Sequence, residues 1–503
     1  MDLSALIACN AAFTPNKVAL RYEGKALTYT ALTERIRAAA RALKWVLGVG
    51  RGDRVAILAA NHPDYLVLLY ACARLGALLV PLNWRLAVPE QLFILGDAAA
   101  KVLLVQDAFA AVAKPLNEMQ RDLRIVRLAD EGGVDTFENL LAQGCGDDRN
   151  PHVDAKSPLL LVYTSGTTGR PKGAVLRQEA LIWNAVMSQH MHDLTASDHV
   201  LTVLPMFHVG GLNIQTTPAL QIGASVSLHA RFDADATLTA IEEERPTLVV
   251  LVPSTLKALI EHPRWTQTDL SSLRAVTTGS TQVPQMLVDA MVARGVPVLE
   301  VYGSTETCPI AIYTRIAGDR PRSGSAGLPG LCCEARVVDD NGCEVPHGAA
   351  GEVVVRGPNV FFEYWGNQQA TSEALRDRWY FSGDIGTRDA DGYFTIHDRK
   401  KNMIVSGGEN VYPAEIERVL YEHPAVAEAA VIGRADPKWQ EVPVAYVARA
   451  ANACVSADEI IAHVAAQLAR FKVPREVVFV ESLPRNALGK VQHFVLRQQA
   501  ERR

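Results

Sequence analysis

Residues 159–175, LLLVYTSGTTGRPKGAV, concentrate the groups that a polyphosphate needs. An apolar run ends at Tyr163 and passes into Thr164-Ser165-Gly166-Thr167-Thr168-Gly169-Arg170-Pro171-Lys172-Gly173. Gly166, Gly169 and Gly173 carry no Cβ, so backbone amides there can converge on an anion. Thr164, Ser165, Thr167 and Thr168 add hydroxyl donors, and Arg170 and Lys172 add positive charge. The Walker A spacing G-x-x-x-x-G-K-[ST] is not matched. Such a composition by itself usually marks a solvated surface loop. Here the tether to an apolar strand and the fixed cations favour phosphate binding.

Five further stretches hold residue types suited to chemistry. They are Pro205-Met206-Phe207-His208-Val209-Gly210-Gly211, Val301-Tyr302-Gly303-Ser304-Thr305-Glu306-Thr307, Tyr380-Phe381-Ser382-Gly383-Asp384, Asp398 to Asn410 (DRKKNMIVSGGEN), and Pro484 to Lys490 (PRNALGK). Each has a plain explanation when taken alone. A histidine beside a phenylalanine is usually packed core. An acid after a Gly-Ser turn is an ordinary helix cap. A carboxylate matched to an arginine can be a structural ion pair. A charged run is commonly a solvated linker, and so is a lysine after glycine near a C-terminus.

In this order and at this spacing, the stretches together resemble the motifs of the adenylate-forming superfamily. That superfamily comprises acyl- and aryl-CoA synthetases, the adenylation domains of peptide synthetases, and beetle luciferases. The resemblance implies that Thr164, Ser165, Gly166, Thr167, Thr168, Gly169 and Lys172 cradle the phosphates of ATP. It implies that Gly279, Ser280 and Thr281 (in TTGST) and Tyr302 with Gly303 flank the adenine, with Thr305 in the same nucleotide motif. Glu306 would help to hold Mg²⁺, with Thr164 nearby. Asp384 would accept from the ribose hydroxyls, with Arg399 as its partner. Ser406, Gly407 and Gly408 would line the tunnel for the pantetheine arm of CoA. Phe207 and His208 would line the acid site, and Lys490 would be the catalytic lysine. The catalytic set is thus Lys490, His208 and Glu306, although no base role is required of His208.

The same resemblance implies two half-reactions. A carboxylate first attacks the α-phosphate of ATP to give an acyl-adenylate and pyrophosphate, and a thiol then displaces AMP. Lys490 serves the first step and the glycine tunnel the second, which calls for a hinge at Lys401. This chain has Asp398 and Asn402 where the superfamily usually has Gly and Asp around that hinge, and Leu488 where it often has Thr.

The elements that must position these groups are legible as periodicity. Short apolar runs at 55–58, 101–105, 159–162 and 248–252 alternate with helical patterns such as 31–47, which argues for parallel sheets covered by helices. Tyr65 to Leu82 is the most apolar stretch, but Arg74 interrupts it and Pro81 closes it, so it reads as a core helix running into a strand. From about Gly327, brief segments separated by Asp-Asn-Gly and Asp-Gly turns look antiparallel. Pro413 opens a helix over 414–422. The expected fold is α/β. It has a large multi-layer N-terminal domain (1–398) with parallel-type sheets and a β-rich subdomain, a hinge (399–401), and a small mobile α+β C-terminal domain (402–503).

Composition excludes several function classes. The 503 residues carry 50 Lys+Arg against 55 Asp+Glu, a net charge of −5, which argues against a basic nucleic-acid-coating protein. A hydrophobic fraction of 49% with 21% charged residues suits a globular chain and excludes global disorder. The eight cysteines form no C-x-x-C, so neither a disulfide framework nor a zinc site is expected. The first residues lack the basic region of a secretory signal, and a cytoplasmic location with no integral membrane segment is expected.

The expected partners are therefore a small carboxylic acid, ATP with Mg²⁺, and CoA. The windows 207–213, 277–281 and 301–310 contain no Arg or Lys, which disfavours a second carboxylate on the acid. The chain's size and its GGENVYPAEIE segment resemble bacterial fatty-acyl and aryl-acid CoA ligases, and a medium or long aliphatic acid is the expectation. The alternatives are an aryl acid of benzoate or hydroxycinnamate type, or an adenylation enzyme that loads a carrier protein. A nucleotide sensor without catalysis is disfavoured, since Lys490, Glu306, Asp384 and Arg399 are all present.

Overall fold

The computed structural model describes residues 2–119, 123–128, 136–164, 171–279, 283–317, 324–406, 409–437, 439–468, 470–485 and 491–501. The chain divides into two compact units. One is Met1–Ala335 with Val355–Tyr380, and the other is Arg336–Val354 with Phe381–Arg503. Residues 399–401 fall inside the second unit.

The first unit is built on two large sheets. A seven-stranded sheet has Arg54–Leu58 at its heart, paired in parallel with Leu78–Pro81 and Val102–Gln106. Pro158–Thr164 lies beside Leu78–Pro81, and Lys172–Arg177 returns antiparallel to it. A nine-stranded sheet contains a parallel set made of His199–Thr202, Ser225–Leu228, Leu248–Val250, Ala275–Gly279 and Val298–Tyr302. Strands such as Leu78–Pro81 and Val102–Gln106 are near-continuous apolar runs, as burial on both faces favours, whereas Ser225–Leu228 and Ala275–Gly279 also bury Ser227, Thr277 and Thr278.

The most apolar stretch is a core helix, Pro63–Leu75, followed by the strand Leu78–Pro81. Every residue from Asp64 to Leu75 is buried, Arg74 included. That guanidinium is met by Asp148 Oδ1 at 2.5 Å and by Ser4 Oγ at 3.0 Å, which supplies the partners a buried charge requires. Gly76, at φ 73°, ends the helix in the left-handed conformation. Among the described residues no helix is long and apolar enough to cross a membrane.

The helix expected over 31–47 starts at Tyr29, where Thr28 accepts from Ala31 N and caps it. It passes at Arg41 into a wider π turn over Ala42–Val46. In the second unit, Val426–Asp436 and Gln440–Arg449 form an antiparallel pair, with Glu476–Val480 parallel to the latter. The helix Pro413–Tyr421 buries Ile416, Val419 and Leu420 against Val431, Ala445 and Val447 of that sheet. This is the α+β arrangement expected of the C-terminal part.

Candidate active site

Thr164 and Lys172 end adjacent antiparallel strands and stand opposite one another, with Thr164 Oγ1 at 3.5 Å from Lys172 O. Ser165, Gly166, Thr167, Thr168 and Gly169, which lie between them in sequence, are outside the described residues. The strand after the loop is held on its far side by residues 362–365. Phe362 N donates to Val175 O at 2.8 Å, and Trp365 N donates to Gly173 O at 2.7 Å.

Glu306 sits in a single 3-10 turn, Thr305–Thr307, immediately after the strand Val298–Tyr302. Thr307 Oγ1 accepts from Ser304 N at 2.9 Å and donates to Pro309 O at 3.1 Å, which closes the turn on itself. Gly303 is needed there, because a Cβ at this position would lie 1.7 Å from Pro309 O. Asn359 holds the turn from outside by donating to Thr307 O at 2.9 Å and Ile310 O at 2.8 Å. Phe361 N donates to Glu306 O at 2.7 Å.

The structure joins Lys172 and Glu306 through a residue that the motifs did not mark. Tyr364 OH donates to Glu306 Oε1 at 2.7 Å, and the Lys172 ammonium lies 5.3 Å from the centre of the same ring. Glu306 and Tyr364 are both buried. No spacing in the sequence links these groups, since Tyr364 is 58 residues from Glu306 and arrives by strand pairing opposite Ala174.

Gly279 and Val301 face one another at the ends of neighbouring parallel strands. A Cβ on Gly279 would stand 2.3 Å from Val301 O, so this position admits only glycine beside Tyr302. Ser280 and Thr281 lie outside the described residues. Glu300, two residues before Tyr302, was not foreseen either. Burial pushes its carboxyl up to about 7.

His208 precedes the short helix Val209–Asn213 and packs on Phe207 with ring centres 4.6 Å apart. Trp84 meets Phe207 edge-on at 6.3 Å. The three windows read from sequence contain no cation, but Arg85, outside them, lies over Trp84 at 4.9 Å and over Phe207 at 5.9 Å. Gly211 lets this segment turn, because a Cβ there would meet Pro205 O at 2.3 Å. Behind it, buried His192 donates through Nδ1 to Ser188 O at 2.7 Å, and its Nε2 stands 2.8 Å from Thr277 Oγ1. Burial holds His192 down at about 4, so it is neutral.

The second unit brings Asp384 and Arg399 together. They are paired across antiparallel strands, with Arg399 Nε 2.6 Å from Asp384 Oδ1. Ser382 Oγ accepts from Asp384 N at 3.0 Å and donates to Val353 O at 2.6 Å, fixing the backbone at the carboxylate. Asp398 and Asn402, the two departures around the expected hinge, are bonded to one another. Asn402 Nδ2 donates to Asp398 Oδ1 at 3.1 Å, while Asp398 Oδ2 accepts from Ala414 N at 3.0 Å. Partial burial, with Arg399 and Arg497 close by, pushes the Lys401 ammonium below its ordinary range. Ser406 is buried in a strand, whereas Gly407, Gly408 and Lys490 lie outside the described residues. Arg485 and Val491, which flank Lys490 in sequence, form an antiparallel bridge.

Among the described residues no three His, Cys, Asp or Glu side chains gather into a metal cage; a hard divalent cation can be held by few protein oxygens when phosphates supply the rest.

Comparison with known proteins identifies the family. Residues 8–365 match the family described as AMP-binding enzyme, and residues 415–490 match the AMP-binding enzyme C-terminal domain. The chain belongs to the AMP-binding enzyme family. It is 49% identical over 505 residues to the indoleacetate–CoA ligase of Aromatoleum aromaticum, covering 100% of this chain and 99% of that protein. It is 42% identical over 483 residues to a feruloyl-CoA synthase of an Amycolatopsis species, covering 96% and 95%. Among solved structures, ATP-bound MatB from Rhodopseudomonas palustris superimposes with a TM-score of 0.91 at 31% identity, covering 100% of this chain and 99% of that one.

Proposed function

We propose that the acid taken by this ATP-dependent acid–CoA ligase is aromatic, an aryl or arylacetic acid. The observation that carries the proposal is its end-to-end similarity to an indoleacetate–CoA ligase and a feruloyl-CoA synthase. The aromatic grouping of Phe207 with Trp84 and His208 agrees with it. The medium or long aliphatic acid expected from the sequence is not supported by these relatives.

In the proposed mechanism two anions must meet, so their repulsion has to be screened and their approach kept in line. Lys172 and the loop before it hold the β- and γ-phosphates as pyrophosphate leaves. Tyr302 and Gly279 flank the adenine. Asp384, steadied by Arg399, accepts from the ribose hydroxyls. Lys490 bridges the carboxylate and the α-phosphoryl oxygens, and Phe207 with His208 borders the acid. Glu306 and Thr164 would hold Mg²⁺, which would supply neutralisation of phosphate charge. In the second step the CoA thiol attacks the acyl carbon, the acyl–phosphate bond breaks and AMP leaves. Ser406, Gly407 and Gly408 line the thiol's approach.

The test is to incubate the enzyme with ATP, Mg²⁺ and either indole-3-acetate or ferulate, with CoA or a phosphopantetheinylated carrier protein as acceptor. Aryl-CoA, AMP and pyrophosphate in equal amounts are expected. Acylation of the carrier alone would overturn the CoA assignment.

A further inference from the structure

We propose that Tyr364 is a positioning residue that keeps Lys172 and Glu306 from pairing with one another, so that each stays available to a polyphosphate and its divalent cation; this rests on the ligase reading above. Lys172 and Glu306 carry opposite charge and converge on one tyrosine ring. A direct bond between them would satisfy both and leave neither for ATP. The ring prevents this with two interactions that do not cancel charge. Its face attracts the ammonium through the quadrupole. Its hydroxyl donates to a single carboxylate oxygen and leaves the carboxylate anionic.

Neighbouring groups fix the ring as a wedge. Phe361 lies 4.7 Å from it, centre to centre, and Phe361 N holds the Glu306 carbonyl. Tyr364 itself is paired to the Lys172–Arg177 strand opposite Ala174, two residues from Lys172. The wedge and both charges therefore move together, and a change at residue 364 is felt at both.

Four variants separate its two functions: Tyr364→Phe, Tyr364→Leu, Glu306→Gln, and Tyr364→Leu combined with Glu306→Gln. ATP binding is measured calorimetrically in EDTA, and Mn²⁺ binding to the enzyme–ATP complex by water-proton relaxation, both without acid. Tyr364→Phe keeps the ring and should leave metal-free ATP affinity within about twofold, while weakening Mn²⁺ about tenfold through loss of the hydroxyl. Tyr364→Leu should weaken metal-free ATP affinity about tenfold, because Lys172 turns to Glu306 once the ring face is gone. Adding Glu306→Gln should restore that affinity by more than the same change raises it in the parent, where relief of repulsion on the phosphates is its only effect, an outcome that a merely structural role would not produce.

The proposal is overturned if Glu306→Gln raises affinity no more in the Tyr364→Leu background than in the parent. It is equally overturned if Tyr364→Phe binds Mn²⁺ as the parent does, a result readable even where the leucine variant does not fold. A parent that binds ATP but adenylates no acid would overturn the ligase reading alone, since the titrations still decide the wedge. A parent that binds no ATP overturns both.

Discussion

At the scale of single residues, the groups that touch charge were legible, and those that hold them were not. Lys172, Glu306, Asp384 and Arg399 announce themselves by type and motif. Tyr364 and Asn359 act through contacts that cross many residues and depend on strand pairing, which local spacing does not encode. Asp384→Asn should raise the KM for ATP about 10- to 100-fold, since a hydrogen bond to a charged group contributes roughly 1.5–3 kcal/mol. Initial-rate kinetics with varied ATP checks this, and an unchanged KM would remove Asp384 from the nucleotide site. Two buried titratable groups predict a pH effect on stability. Glu300 keeps its proton up to about 7 in place of the ordinary 4.5, so its contribution is present at low pH and is lost as pH rises through that window. His192, held at about 4 in place of 6.5, acts in the opposite sense, and its contribution is lost as pH falls. The two slopes largely offset in the parent. Glu300→Gln should therefore expose a stability that declines on acidification, with a change relative to parent of up to about 3 kcal/mol, read from denaturation midpoints at pH 4.5 and 7.

At the scale of elements, the strands Arg54–Leu58, Val102–Gln106, Pro158–Thr164 and Leu248–Val250 could be read because burial on both faces makes them apolar runs, whereas Ser225–Leu228 and Ala275–Gly279, which alternate or carry threonines, could not. The buried helix Pro63–Leu75 could be read for the same reason, once Arg74 had argued against a membrane span. The π turn at Ala42–Val46 could not, because apolar periodicity does not distinguish a widened last turn from a regular one. The turn that carries Glu306 is shaped by the close approach of Gly303 to Pro309 O. Gly303→Ala should cost about 1–3 kcal/mol, as overpacking does, and should reduce ATP–pyrophosphate exchange by displacing Glu306. A variant with parental melting temperature and exchange rate would show that the turn tolerates the methyl group and would contradict the close contact with Pro309 O.

At the scale of the whole molecule, the opposed demands of the two half-reactions are the reason for proposing a mobile C-terminal part. Lys490→Ala should lose adenylate formation by about 10²–10³, the effect of removing an electrostatic stabiliser, yet still convert supplied acyl-AMP to thioester. Gly408→Leu should do the reverse by blocking the thiol's path. Equal loss of both half-reactions in each variant would sink the alternation of domains. The central claim, that this AMP-binding enzyme makes aromatic thioesters of CoA, is tested most directly by kcat/KM for thioester formation across a panel. The panel runs from indole-3-acetate, ferulate and benzoate to straight-chain acids of two to sixteen carbons. The account predicts that the best aromatic acid exceeds every aliphatic one by at least about tenfold, within the range that pocket shape can supply. A straight-chain acid at the head of the panel would contradict it.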